Sequence, residues 1–122
     1  MDAEISTEEV RRLLSDDGNE GLAVVDIRSP RAFEQGHIPG SVNVPFEQIT
    51  ARVGEFEDAD RIVTVCPHGR SSVQAAQLFN SYEGTADARV ESMAGGLEAW
   101  SGDLVAGAGD GPVPDGDESA PF

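Results

Sequence analysis

The stretch VTVCPHGRSS, residues 63–72, holds the only cysteine of the chain, Cys66. An apolar run ends at that cysteine. Pro67, His68, Gly69, Arg70, Ser71 and Ser72 follow, and then VQAAQLFN reads as a helix. In an open parallel α/β sheet, ligands collect at the carboxyl ends of the strands, and Cys66 falls at such an end. The next helix starts near Ser71 or Ser72, so its unpaired N–H groups and its dipole favour an anion. A loop curled around the sulfur adds more backbone N–H groups. Gly69 lets that loop reach positive φ, while Arg70 and His68 add local positive charge. All of these stabilise a thiolate, the reactive form of cysteine. They would bring its pKa from about 8.5 to roughly 7 or below. The competing reading is a buried, inert cysteine at a strand end. Apolar neighbours on both sides would favour that reading, and here one side is Pro-His-Gly-Arg-Ser-Ser. The chemistry indicated is nucleophilic catalysis by Cys66.

The elements that must hold this loop follow from hydrophobic periodicity. Ser6 and Glu9 form a possible capping box. Val10, Leu13 and Leu14 make one stripe, which predicts a helix over 7–15 ended by Gly18 and Gly21. LAVVDI and RIVTVC are continuous apolar runs suited to strands buried on both faces. SPRAFEQG reads as a short helix begun by Ser29 and Pro30. A strand follows at Val42 to Val44, and EQITARV reads as one short helix. SSVQAAQLFNSYEG is a helix with Val73, Ala76 and Leu78 or Phe79 turned inward. ARVESM is a further strand, and GGLEAW gives a turn and a last short helix. Alternating strands and helices imply a parallel sheet with helices on both faces. From about Ala106 the pattern stops, so 1–105 reads as one domain and 106–122 as an acidic, Gly/Pro-rich disordered tail.

One cysteine cannot form an internal disulfide or a metal site of paired cysteines. His37 and His68 add little, so neither metal nor cofactor is expected. The chain of 122 residues carries 23 acidic and 8 basic residues, a net charge of −15, and every base is Arg. That charge opposes nucleic acid and anionic membrane as partners and favours a monomer. An acidic surface without Lys fits a high-salt cytoplasm, where the Debye length falls to about 3 Å at 1 M. No run approaches the roughly 18 apolar residues of a membrane span. The opening MDAEISTEEV lacks the basic and apolar regions of a secretory signal. A cytoplasmic protein is the expectation.

Three blocks together resemble the single-domain rhodaneses, which are sulfurtransferases: VVDIRSPRAFEQGHIPGSVNVP, VTVCPHGRSS and MAGGLEAW. The resemblance runs from about residue 4 to residue 101. It implies a parallel five-stranded sheet flanked by helices, and a persulfide mechanism. Cys66 would be the nucleophile, and the amides of residues 67 to 71 would cradle the sulfur. The donor would be thiosulfate, a polysulfide or a persulfide, on a partner protein among others. The acceptor would be cyanide, a thiol or a thioredoxin-like protein. Many rhodaneses carry a base at the last loop position, where this chain has Ser71; less positive charge then faces a thiosulfate dianion. Cysteine phosphatases on a related fold have a loop one residue longer, with an arginine six positions after the cysteine. Here position 72 is Ser, and Arg70 is only four positions on. A sulfur carrier or docking module without turnover is the remaining alternative.

Asp26 and Arg28 read either as hydrogen-bonding supports of the neighbouring loop or as a plain surface pair. His37 is expected to pack within its GHIPG turn. Gly95 and Gly96 are expected to form a turn, and Trp100 to lie in the core.

Overall fold

The computed structural model describes residues 3–15, 21–85 and 87–107. The two continuous apolar runs form its centre. Leu22–Asp26 is β2 and Arg61–Val65 is β4, paired in parallel from Leu22 opposite Arg61 to Asp26 opposite Val65. Val24, Val63 and Val65 enter one apolar cluster; Val25 and Ile62 enter another on the opposite face. That division is the period of two of a strand. It explains why neither run alternates apolar with polar residues. Arg89–Met93, β5, pairs with β4 on its other side, and Val42–Asn43, β3, pairs with β2. Glu4–Ile5, β1, adds a fifth strand beyond β5. The order is β1-β5-β4-β2-β3, with every pairing parallel.

Thr7–Ser15, α1, covers one face. Val10 is fully buried, and Leu13 and Leu14 pack with Val24, Val63 and Val65. The Glu9 N–H donates to Ser6 Oγ at 3.1 Å, which satisfies one free donor of the first turn. The helix ends at Ser15; Gly18, its expected terminator, lies outside the described residues. Pro30–Gln35, α2, is capped by Ser29, whose Oγ accepts from the Ala32 N–H at 3.2 Å. Pro30 occupies the position where a missing N–H costs nothing.

The other face is covered by Ile49–Arg52, α3, and Ser71–Ser81, α4. Turns of 3₁₀ helix, Phe46–Gln48 and Val53–Phe56, flank α3, so the single helix expected there is three short pieces. The buried face of α4 is Ser72, Ala75, Ala76 and Phe79, spaced i, i+3, i+4, i+7. Of the residues expected inward, Ala76 and Phe79 are buried, while Val73 and Leu78, the alternative to Phe79, are only partly buried. Phe79 meets Phe56 edge to face with ring centres 5.5 Å apart. The last expected helix is one 3₁₀ turn, Leu97–Ala99.

Trp100 is not a core residue. It is half-buried against the α1-side cluster, and its Nε1 donates to the Asp103 carbonyl at 3.2 Å. It also lines an open cleft of about 630 Å³ with Arg11, Leu14 and Pro39. Beyond it the chain returns to α2. His37 and Val105 form an antiparallel bridge, and the Gly107 N–H donates to the Glu34 carbonyl at 2.9 Å. Most of the expected tail, residues 108–122, lies outside the described residues. No helix among the described residues is long and apolar enough to cross a membrane.

Because β4 lies between β2 and β5, their three carboxyl ends are adjacent. Each delivers one loop to the same place.

Candidate active site

Cys66 is the first residue past β4 and is 2% exposed. Its sulfur accepts from the Gly69 N–H at 3.0 Å and the Ser72 N–H at 3.3 Å, and lies 3.2 Å from Ser72 Oγ. Burial pushes the thiol pKa up. Hydrogen bonds from the Ser72 hydroxyl, then from the backbone N–H groups of Ser72, His68 and Gly69, outweigh that effect and hold it below the ordinary value. The donor set therefore differs from the amides of residues 67 to 71. Pro67 has no N–H, and the contribution shifts one residue on, to Ser72. Ser72, expected only to support the loop from the start of the helix, lies in the sulfur's immediate surroundings.

The loop backbone is braced by a neighbour whose role is larger than the turn expected of it. Leu97 N–H donates to the Cys66 carbonyl and Glu98 N–H to the Pro67 carbonyl, both at 2.9 Å. Gly95 and Gly96 hold φ at 77° and 63° to aim those donors. The approach is so close that a Cβ on Gly96 would lie 2.5 Å from the Pro67 carbonyl carbon. Gly69, at φ 79°, faces the same turn. From below, Thr64 Oγ1 on β4 donates to the Ser72 carbonyl at 2.7 Å and pins the first turn of α4. Ser92 on β5 sits 2.7 Å from Ser72 Oγ. Thr64 and Ser92 escaped the sequence reading because each looks like a lone polar residue in a strand. Their full burial is visible only after folding.

Asp26, 1% exposed, takes a two-pronged pair from Arg28: Nε to Oδ1 at 2.9 Å and Nη2 to Oδ2 at 2.7 Å. Arg28 Nη2 also donates to the Gly36 carbonyl at 2.7 Å. Asn43 Nδ2 donates to the carbonyls of Asp26 and Arg28, at 3.0 and 2.9 Å. This is a buried brace between the ends of β2, β3 and α2, not a plain surface pair. His37 is fully buried, stacked on Phe33 at 3.7 Å, with Nδ1 2.8 Å from the Phe33 carbonyl.

A cleft of about 340 Å³ opens over Cys66. Ile27, Ala32, Phe46 and Pro67 make its walls apolar, and Arg28 and Ser71 sit at its edge. Three residues expected to bind substrate stand apart from these walls. Gly69 gives its N–H to the sulfur. His68 is exposed and paired with Glu98 at 3.1 Å, and Arg70 is exposed at the start of α4.

The chain that places a cysteine sulfur against N–H donors at the central strand end has counterparts among known proteins. Residues 6–103 match the Rhodanese-like domain. This chain belongs to the rhodanese family. A thiosulfate sulfurtransferase, GlpE of Pseudomonas syringae, is 40% identical to it over 81 residues, covering 66% of this chain and 74% of that protein. A putative sulfur carrier protein, YrkF of Bacillus subtilis, is 30% identical over 99 residues, 81% of this chain; the chain spans about half of that relative, 51%. A rhodanese-like domain protein from Staphylococcus aureus shares the fold with a TM-score of 0.72 over 85% of this chain and 97% of that one, at 22% identity. Membership of the rhodanese family, with such relatives, supports a sulfurtransferase or a sulfur carrier.

Proposed function

We propose that this rhodanese is a sulfurtransferase that carries sulfane sulfur on Cys66 as a persulfide. The observation that carries the reading is the cysteine sulfur itself. It lies at the floor of an open cleft and is met by two backbone N–H groups and one hydroxyl. Such surroundings favour the thiolate, the nucleophilic form of cysteine. Its lone pair attacks the outer sulfur of the donor, an S–S bond forms, and the donor's own S–S bond breaks. With thiosulfate, sulfite leaves with the bonding pair. With an organic persulfide, the thiolate leaves. An acceptor then attacks the outer sulfur of Cys66–S–S⁻ and regenerates the thiolate: cyanide leaves as thiocyanate, a thiol as a new persulfide. The fixed N–H groups meet Sγ when it attacks as a thiolate and again when it leaves as one.

The charge and shape of the cleft favour some donors over others. Arg28 is its one basic edge, and Asp26 already neutralises that guanidinium. Dianionic thiosulfate therefore meets little free positive charge. A polysulfide or a persulfide with a carbon body fits the apolar walls better, and about 340 Å³ is room for more than a small ion. A thiol on a thioredoxin-like protein is a suitable acceptor. Phosphate chemistry is disfavoured, because position 72 holds a buried serine directed at Cys66 where a phosphatase needs arginine. A cytoplasmic monomer adapted to high salt agrees with the −15 charge.

The test is intact mass spectrometry after incubation with thiosulfate or polysulfide in high salt. A gain of one sulfur atom, reversed by cyanide and absent in Cys66→Ser, is the expected result. No adduct with any donor on folded protein overturns the proposal. The likeness to a putative sulfur carrier supports a second reading, carriage without turnover. Loading that small thiols never discharge over repeated cycles would favour it.

A further inference from the structure

We propose that Ser92 is a positioning residue, whose hydroxyl on β5 fixes the Ser72 hydroxyl as a donor to Cys66 Sγ. The inference rests on the reading of Cys66 as the nucleophile. Ser92 and Ser72 are both fully buried, with oxygens 2.7 Å apart, and Ser72 Oγ lies 3.2 Å from the sulfur. Among the described residues, Ser72 Oγ is the one hydrogen-bonding partner of Ser92 Oγ.

Counting hydrogens along this short chain gives it a direction. Each hydroxyl has one hydrogen to place. If Cys66 is a thiol that donates to Ser72, the two serine hydroxyls have only each other to donate to. One of their hydrogens is then left buried with no acceptor among the described residues, which is costly. If Cys66 has lost its proton to solvent, the chain reverses. Ser92 donates to Ser72, Ser72 donates to Sγ, and every hydrogen has an acceptor. The buried pair therefore favours the thiolate. The same donor meets Sγ when Cys66 is the leaving group, as the outer sulfur passes to the acceptor.

Charged groups do not account for this effect. Arg28 across the cleft is held by Asp26, and His68 is paired with Glu98 at the loop rim. Arg70 is exposed, and Glu91, beside Ser92 on β5, pairs with Arg61 and Arg89. Gly69 and Ser72 N–H groups act on the sulfur whatever stands at position 92.

The experiment is the rate of Cys66 alkylation by iodoacetamide against pH, read by intact mass, with a thermal melt of each variant. Ser92→Ala is expected to move the midpoint up by roughly half to one unit. Well below the midpoint, alkylation would then slow about three- to tenfold, since one unit is a tenfold change in thiolate. Ser92→Thr, which keeps the hydroxyl, is expected to hold the wild-type midpoint, and its isostere Ser92→Val to lose it. The Thr and Val pair carries the test should the alanine variant fold poorly. In a Ser72→Ala background, Ser92→Ala should shift nothing further. A lowered melting temperature with an unmoved midpoint, or equal midpoints for Thr and Val, overturns the proposal and leaves Cys66 as nucleophile. A wild-type Cys66 that is not alkylated at any pH overturns the underlying reading instead.

Discussion

Gly96→Ala tests whether the Gly95-Gly96 turn holds the sulfur loop in its reactive shape. Two effects follow from the new methyl group. Gly96 sits at φ 63° and ψ −163°, a region that is essentially glycine's alone, where a side chain is strained by about 1–3 kcal/mol. The methyl would also lie 2.5 Å from the Pro67 carbonyl carbon, where ordinary contact begins near 3.4 Å. The neighbour is backbone, so the loop must retreat by about 0.9 Å (the difference of those two distances). That retreat breaks the bonds from Leu97 and Glu98 N–H and misaligns the donors around Cys66. A displacement near 1 Å costs on the order of 100-fold in rate. Gly40→Ala separates the two effects. Gly40 is at φ 86° with nothing within 4 Å of a new Cβ, so it shares a positive φ and lacks the collision. Both variants should melt lower, by about 4–8 °C per kcal/mol in a domain of this size. Persulfide loading, followed by mass spectrometry over time, should fall about 100-fold in Gly96→Ala and stay within about twofold of wild type in Gly40→Ala. Folded Gly96→Ala that loads at the wild-type rate would refute the bracing argument.

Three further outcomes follow from the same geometry. Arg28→Ala leaves the Asp26 carboxylate, 1% exposed, without its partner. It should lower stability by about 3–5 kcal/mol in chemical denaturation, and Arg28→Lys should restore little, because one ammonium cannot make the forked pair and reach Gly36 as well. The Cys66 pKa is lowered on folding, so the thiolate contributes stability that is present above the unfolded value of about 8.5 and is lost as pH falls through the folded one. The melting-temperature advantage of wild type over Cys66→Ser should therefore grow from pH 6 to pH 9; a constant gap contradicts the shift. Loading from thiosulfate should speed up between 0.1 and 1 M salt, as the Debye length drops from about 10 to 3 Å and the −15 charge is screened. A rate that falls steadily over that range counts against it.

Strong local signals made much of the fold legible. LAVVDI and RIVTVC are short apolar runs rich in β-branched residues, which suits strands covered on both sides, and they pair at the centre of the sheet. Glu4–Ile5 was not readable from periodicity, because two residues with one of them buried show no period. The fifth strand came only from the family resemblance. On α4 the apolar pattern finds Ala76 and Phe79, which are buried, but favours Val73 over Ser72, which is buried with bonds to Cys66 and Ser92. The cysteine and its glycine loop were legible as chemistry. The partners behind the loop were not, since Thr64, Ser92 and Gly96 come from other strand ends and no local pattern joins them to Cys66.

Those partners show what would stabilise an anionic sulfur in a chain of net charge −15. Side-chain cations contribute little: Arg28 is spent on Asp26, and Arg70 is exposed. The stabilising groups are N–H and O–H dipoles within 3.3 Å of Sγ. Screening by salt acts over the Debye length through solvent, about 3 Å at 1 M, and weakens buried contacts much less than exposed ones. Dipoles in direct contact with a buried sulfur therefore keep their effect where surface charges lose theirs. A site built this way needs rigid backbone more than local charge. Two glycines at positive φ and three strand ends supply that rigidity. Cys66 alkylation at fixed pH should consequently change far less with salt than thiosulfate loading does, because the first reads the buried dipoles and the second reads the approach of an anion to a negative surface. Equal salt dependence of the two rates would show that long-range charge, and not the loop, sets the state of the sulfur.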